Sequence, residues 1–281
     1  MNAALTWLYV PGDRPEVVAK ALHSGADVVL VDLEDAVAPD RKAYARAATV
    51  ELLTDPVPGP SPVHVRINAL DGPLAADDVR ALATLPGLAG LRLPKANGPG
   101  EVRAVADRVA AAGGPAELPL FPILESALAV ERAYEIATAT VAVGGIALGE
   151  ADLCADLGVQ DDAGLAWPRS RTVVAARAAG LAPPAQSVFT DVRDLDGLAA
   201  SCARGRALGF LGRAAIHPRQ LPVIERAYLP TPAEVRAAED VVLAAVSEAG
   251  ALALPDGRFV DAAVVAGARR TLELAGRDRR G

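Results

Sequence analysis

The chain has 281 residues, 52% of them hydrophobic and only 4% aromatic, which is enough apolar material for one large core filled by Leu, Val, Ile and Ala. A single barrel of this length is ordinary. The net charge of −7 and a pI near 5.1 exclude nucleic acid as the main partner, because phosphate backbones need a basic footprint.

The chain starts MNAALTWLYVPGD, with no basic start and no long apolar run, so no signal peptide is expected. No stretch approaches the roughly 18 apolar residues of a membrane span, and no membrane partner is expected. Apolar, β-branched runs then alternate with Ala-, Glu- and Arg-rich segments of helical period. Strands are predicted at 7–10, 27–33, 63–67, 90–93, 118–124, 141–148, 187–190 and 213–216. Helices are predicted near 15–24, 40–53, 74–85, 99–112, 127–138, 168–180, 194–208 and 218–227. Pro15 and Pro168 suit a first helical turn. Eight strands alternating with helices make an α/β protein, most simply a modified (β/α)8 TIM barrel, with a doubly wound open sheet as the alternative. Pro230 and Pro232 mark a break, which divides the chain into a barrel over 1–229 and a C-terminal helical arm or lid over 230–281. That arm carries an amphipathic segment at 233–249, a turn at Pro255-Asp256-Gly257 and a helix near 262–276. Arg277, Arg279 and Arg280 read as a solvated tail.

In a barrel the strand C-termini face the catalytic mouth. Read in order, they present Asp13 and Arg14, then Asp32, Glu34 and Asp35, then Arg66 and Asn68, then Lys95, Glu125, Asp152 and His217. Glu125 and Asp152 follow neighbouring strands, and two such carboxylates suit a hard divalent cation whose other ligands are water and substrate oxygens. Either could instead cap the helix that follows it. Arg66 could neutralise Asp32 or Glu34, or offer its planar fork to a carbonyl or carboxylate oxygen. Lys95 could be an ion-pair partner; a Schiff-base role would need a depressed pKa, and its carboxylate neighbours oppose that. His217 is either a turn residue before Pro218 or part of a ligand channel. His23 and His64 read as non-catalytic, and no histidine pair has zinc spacing. Cys154 and Cys202 have neither metal spacing nor a disulfide framework, which suits a reducing cytoplasm. Neither G-x-G-x-x-G nor a P-loop is present, so dinucleotide and nucleoside triphosphate chemistry lose their support.

The ordered motifs LYVPGDRPEVVAKALHSGADVVLVDLEDAV, VRIN, LPKA, ILES, LGEADLCADLG, PRSRTVVAARAAGL, LGFLGRAAIHPRQ and AYLPTPAEV resemble the citrate lyase β-subunit-like proteins of the HpcH/HpaI aldolase superfamily. The likeness runs from Leu8 to about Leu274. It implies a modified TIM barrel, a homotrimer or hexamer, Mg2+ (Mn2+ as the alternative) and acyl-CoA thioester substrates. The implied reaction is reversible cleavage of a 3-hydroxyacyl-CoA into a short acyl-CoA and a 2-oxoacid such as glyoxylate, pyruvate or oxaloacetate. By the same resemblance Glu125 and Asp152 are the metal ligands. Arg66 stabilises the thioester enolate, and Asp35 supports the metal's water shell. Asp13, Arg14, Lys95, His217 and Pro218 form the rim where CoA lies. Asp261, in GRFVDAA, enters a neighbouring subunit's active site as acid or base; its alternative reading is a helix N-cap. The chain departs from the family pattern at Ala129, where a glycine is usual, at Ala151 with an acid displaced to Glu150, and at Ala262, where a proline is usual.

Three further functions compete with the lyase: a thioesterase or malate-synthase-like activity at the same site, an aldolase of free hydroxy-oxoacids, and a non-catalytic subunit of a citrate lyase complex.

Overall fold

Val-, Leu- and Ile-rich runs form the strands of one parallel sheet in a computed structural model, which describes residues 4–56, 61–247, 252–253 and 259–278. The strands are β1 (Thr6–Pro11), β2 (Val28–Asp32), β3 (Val63–Arg66), β4 (Leu88–Leu93), β5 (Leu120–Leu124), β6 (Ala147–Leu148) and β7 (Arg213–Ala215). They pair in the order β6-β5-β4-β3-β2-β1-β7, the consecutive order of a parallel barrel wall built from β–α–β steps. Helices α1 (Pro15–Ala21), α2 (Lys42–Thr54), α3 (Leu74–Leu82) and α4 (Pro99–Ala111) follow the first four strands. Then come α5 (Ala127–Glu131), α6 (Ala133–Ala137), α7 (Glu150–Leu157), α8 (Ala166–Ala178) and α9 (Leu195–Ala207). Strand β2 is buried at every position, as expected for a parallel strand covered on both faces. This is the modified TIM barrel that the alternation predicts.

The wall departs from eight full strands at two places. The strand expected at 187–190 shrinks to a single parallel bridge between Gln186 and Arg213. Pro183 and Pro184 precede it and bring no N–H donors. The Arg213 side chain then takes the Ser187 carbonyl at 2.9 Å. The strand expected at 141–148 shrinks to β6 and a bridge between Val143 and Leu120. Gly144 and Gly145 interrupt it, and both lie against the Phe121 ring, which a Cβ at either position would crowd at 3.1–3.3 Å. The helix expected over 127–138 is split into α5 and α6 at Arg132.

Register positions the site. Pro11 pairs with Asp32, Asp32 with Arg66, Arg66 with Arg92, and Arg92 with Phe121. Partners in one row point to the same face, and residues two apart join them. The inner face therefore carries Tyr9, Leu30, Asp32, His64, Arg66, Arg92 and Phe121.

The chain divides into two compact units, residues 4–224 and the C-terminal part from Glu225. Helix α10 (Leu221–Tyr228) spans the division. The C-terminal unit holds α11 (Pro232–Ser247), a two-stranded antiparallel ribbon of β8 (Leu252–Ala253) and β9 (Phe259–Val260), and α12 (Ala262–Asp278). Ala238, Val241, Val260 and Ala268 form its core. Within it Arg277 lies 3.9 Å from Glu225, so this residue is not a free tail cation. The turn expected at Pro255-Asp256-Gly257, and Arg279 and Arg280, lie outside the described residues.

One buried polar node ties β3 to the helices. Asp78 on α3 is fully buried; it accepts from Asn68 N at 2.8 Å, Asn68 Nδ2 at 2.7 Å and Arg46 Nε at 2.6 Å. Asn68, which stands at a strand end, is thus structural. Replacing Asp78 by Ala strands a partly buried guanidinium and a buried backbone donor. The expected loss is about 3–5 kcal/mol of folding free energy, read from the urea midpoint.

Candidate active site

A cavity of about 740 Å³ occupies the inside of the barrel unit. Its carboxylates are Asp32, Asp35, Glu125, Glu150 and Asp152, with Asp161 and Asp162 beside them. Its cations are Arg66 and Arg92.

Arg66 is gripped by Asp32 on one edge, Nε to Oδ1 at 2.7 Å and Nη2 to Oδ2 at 2.6 Å. Its Nη1 lies 2.8 Å from Glu34 and 3.3 Å from Asp35. Its guanidinium carbon is 5.3 Å from the Tyr9 ring centroid. Burial alone would lower its pKa, but the hydrogen bonds and charge of Asp32, with Tyr9 and Glu34, hold it raised and cationic. Asp32 is itself built in, since it accepts from Glu34 N at 2.9 Å and Ala36 N at 3.0 Å. Arg66 therefore neutralises Asp32 and Glu34 and also lines the cavity.

Glu34 is buried and bridges Arg66 to Lys95, whose Nζ lies at 2.7 Å. Burial pushes the Glu34 carboxyl up, against the pull of Arg66 and Lys95. The Lys95 pKa is raised, chiefly by its bond to Glu34, so Lys95 is an ion-pair partner and no Schiff-base nucleophile.

Glu125 follows β5 and folds over Gly149. A Cβ at Gly149 would lie 2.7 Å from Oε1, so only glycine leaves room for the carboxylate. Lys95 has φ = 53°, a left-handed backbone that costs a non-glycine residue of order 1 kcal/mol or more. That strain aims its N–H at Glu125 Oε2, 2.6 Å away. Burial pushes the Glu125 carboxyl up to about 7; the Lys95 N–H opposes this, and the charges of Glu34 and Asp152 add to it. Asp152, exposed in the first turn of α7, lines the same cavity.

Charge pairing separates these two carboxylates from the others. Asp32, Glu34 and Asp35 share Arg66. Glu150 and Asp162 share Arg169, with contacts of 2.7–2.8 Å. Asp161 caps a turn through Ala163 N. Among the described residues no cation pairs with Glu125 or Asp152, and no cluster of three or more His, Cys, Asp or Glu has metal-binding spacing. Two hard oxygen donors without a protein counter-ion fit Mg2+, which keeps several waters and takes one or two protein carboxylates.

The barrel thus brings together Arg66, Asp35, Glu125 and Asp152. Asp13, Arg14, Lys95, His217 and Pro218 stand at strand C-termini but do not line the cavity. Asp13 pairs with Arg41 at 3.5 Å, and Arg14 is exposed. His217 Nδ1 accepts from Arg219 N at 3.1 Å and caps the turn that Pro218 begins. In the C-terminal unit Asp261 Oδ1 accepts from Val264 N at 2.9 Å and so caps α12. Ala129, at the usual glycine position, is fully buried in α5 and adds no bulk to the cavity. The sequence reading missed Tyr9, Gly149 and Arg92; the charged residue inside LRL of an apolar strand was the signal for the last.

Residues 5–218 match the HpcH/HpaI aldolase/citrate lyase family. The citrate lyase subunit beta of Leuconostoc mesenteroides subsp. cremoris is 35% identical, over 96% of this chain and 92% of its own. An L-malyl-CoA/beta-methylmalyl-CoA lyase of Cereibacter sphaeroides is 32% identical, over 92% and 90%. A (3S)-malyl-CoA thioesterase from the same species is 34% identical, over 95% and 93%. The crystal structure of CitE from Mycobacterium tuberculosis in complex with magnesium, acetoacetate and coenzyme A superposes with a TM-score of 0.83 at 34% identity, covering 98% of each chain. This chain therefore belongs to the HpcH/HpaI aldolase/citrate lyase family.

Proposed function

We propose that the chain is a Mg2+-dependent carbon–carbon lyase that cleaves, or in reverse condenses, a short 3-hydroxyacyl-CoA of the malyl-, citramalyl-, methylmalyl- or citryl-CoA type. The products are an acyl-CoA and a 2-oxoacid. The observation that carries this reading is the pair Glu125 and Asp152, left without a protein cation in a cavity where Arg66 faces the same space. Its similarity to lyases of CoA thioesters supports the substrate class.

Glu125 and Asp152 would hold the Mg2+, and Asp35 would support its water shell. When bound, the ion supplies Lewis acidity and a template for the oxoacid carboxylate and the adjacent oxygen. Arg66 faces the thioester oxygen, where negative charge develops as the carbon–carbon bond breaks and its electron pair passes to the acyl-CoA α-carbon. The substrate's hydroxyl loses its proton, and the α-carbon gains one. Asp261 of a neighbouring subunit serves as the acid or base there, with Oδ1 committed to the α12 cap. That role makes the working form a homotrimer or hexamer, with the C-terminal arm packed on a neighbour. Asp13, Arg14, Lys95, His217 and Pro218 form the CoA rim. The enzyme works in the cytoplasm; among the described residues no helix is long and apolar enough to cross a membrane.

The second reading is a thioesterase, favoured by the malyl-CoA thioesterase relative. Purified protein with Mg2+ and a panel of 3-hydroxyacyl-CoA thioesters separates the two. Oxoacid without free thiol identifies the lyase; thiol without oxoacid overturns it in favour of the thioesterase. Loss of both signals removes both readings.

Two variants probe the residues. Arg66→Lys keeps the charge but loses the planar fork, and kcat should fall by about 10²–10³ with the fold intact. The second concerns pH. The folded-state pKa of Glu125 lies above its unfolded value, so in metal-free protein its stability contribution is present at low pH. That contribution declines as pH rises from the ordinary carboxylate range to about 7, then levels off. Mg2+ requires the ionised form, so the Tm gain on adding Mg2+ should be larger at pH 8 than at pH 5. Glu125→Gln should abolish both the gain and that part of the pH slope. An unchanged Mg2+ gain in Glu125→Gln would remove Glu125 from the metal site.

A further inference from the structure

Two arginines stand side by side inside the barrel as register partners, Arg66 on β3 and Arg92 on β4. Arg66 carries three carboxylates. Arg92 is only 7% exposed, yet among the described residues its side chain makes no ion pair and no hydrogen bond, and its Nε is buried without an acceptor. It packs against the Phe121 ring, whose centroid lies 4.4 Å from the guanidinium carbon. His64, stacked on that ring at 4.7 Å, offers no negative charge. Burial with the positive charge of Arg92 beside it pushes His64 down to about 3, so it is neutral.

A buried arginine with a purely structural task looks different in this same barrel. Arg213 is 3% exposed and is held by Ser187 O at 2.9 Å, Ser201 Oγ at 2.9 Å and Gln186 Oε1 at 3.3 Å. Removing a guanidinium from water without such partners costs several kcal/mol. Arg92 lines the cavity, so the missing partner can come from a bound molecule.

Resting on the lyase reading above, we infer that Arg92 is a specificity residue: an anion site inside the barrel that binds a second carboxylate on the oxoacid half of the substrate. The bulky nucleotide end of a CoA thioester stays at the strand C-terminal mouth, and the small oxoacid end leads inward. Arg92 lies on the strand before its C-terminal turn, three residues short of Lys95, and so inward of Glu125's backbone donor. One carboxylate and its neighbouring oxygen belong at Glu125 and Asp152. A further carboxylate on the same fragment meets the planar fork of Arg92, where a charge-assisted pair is strong because water is excluded. The site thus selects 2-oxodicarboxylates over 2-oxomonocarboxylates. The Phe121 ring lies against the guanidinium, and Gly90 leaves the space that Phe121 needs, since a Cβ there would meet the ring at 2.8 Å.

Oxaloacetate and pyruvate differ by this one carboxylate. Calorimetric titration of the full-length protein with each, in the presence of Mg2+, tests the inference. The parent should bind oxaloacetate about 10-fold or more tighter than pyruvate. Arg92→Met should bring the two affinities to near parity through loss of oxaloacetate binding, with pyruvate affinity within about twofold of the parent. Its Tm should equal or exceed the parent's, because a buried unpaired cation is replaced by an apolar side chain of similar reach. Arg92→Lys keeps charge without the fork and should retain part of the preference, a result that also serves if Arg92→Met does not fold. A parent that binds pyruvate as tightly as oxaloacetate overturns the inference and leaves the lyase reading standing. Arg92→Met with an undiminished oxaloacetate preference does the same. If neither oxoacid binds the parent with Mg2+, the lyase reading falls and takes the inference with it.

Discussion

The two-edged pair between Asp32 and Arg66 is the contact on which the rest of the interior depends. Asp32 ends β2 and Arg66 ends β3, and the parallel register sets them level. Asp32 also accepts two backbone N–H groups of the turn that follows β2, so the same carboxylate shapes the turn that presents Glu34 and Asp35. Arg66, neutralised on one edge, then gathers those two acids on its other nitrogen. Lys42 fastens the turn from behind through the carbonyls of Leu33 and Glu34, at 2.8 and 2.6 Å. A charge cluster that would be costly to bury as separate ions is made tolerable by shared partners.

Charge bookkeeping across the cavity then divides its ionisable groups into those that are satisfied and those that are not. Asp32, Glu34, Asp35, Glu150 and Asp162 are paired with Arg66, Lys95 or Arg169. Asp161 is taken up by a turn cap, and Glu125, Asp152 and Arg92 are left over. These three carry opposite signs and occupy one cavity, which is an arrangement suited to a divalent cation and an anionic ligand bound together. Strain gathers at the same place: the left-handed Lys95 and the side-chain-free Gly149 both serve the position of the Glu125 carboxylate. Local rules of sequence preference are broken where they position the Glu125 carboxylate in the cavity.

Much of the candidate site is legible in the sequence. Glu125 and Asp152 could be read because they directly follow apolar runs, and barrel strands end at the mouth. Arg66 could be read for the same reason, although its partners could not be chosen among Asp32, Glu34 and Asp35. The strand at 187–190 misled because its composition is β-like; the prolines before it and the capture of the Ser187 carbonyl by Arg213 reduce it to one bridge. His217 stood at a strand end like the others, but its ring is spent on a local cap. Arg92 escaped because a single charge within an apolar strand has no periodicity to announce which face it takes.

The sequence by itself determined the alternation of strands and helices, hence the barrel, and the set of residues at the strand ends. These follow from hydrophobic period and from order along the chain, both of which are local. Only the tertiary structure decided which charges neutralise one another, which carboxylates remain free, and that Arg92 faces inward without a counter-ion. Those outcomes depend on register between strands far apart in the chain, and on burial, which turns a mild surface charge into a demand for a partner.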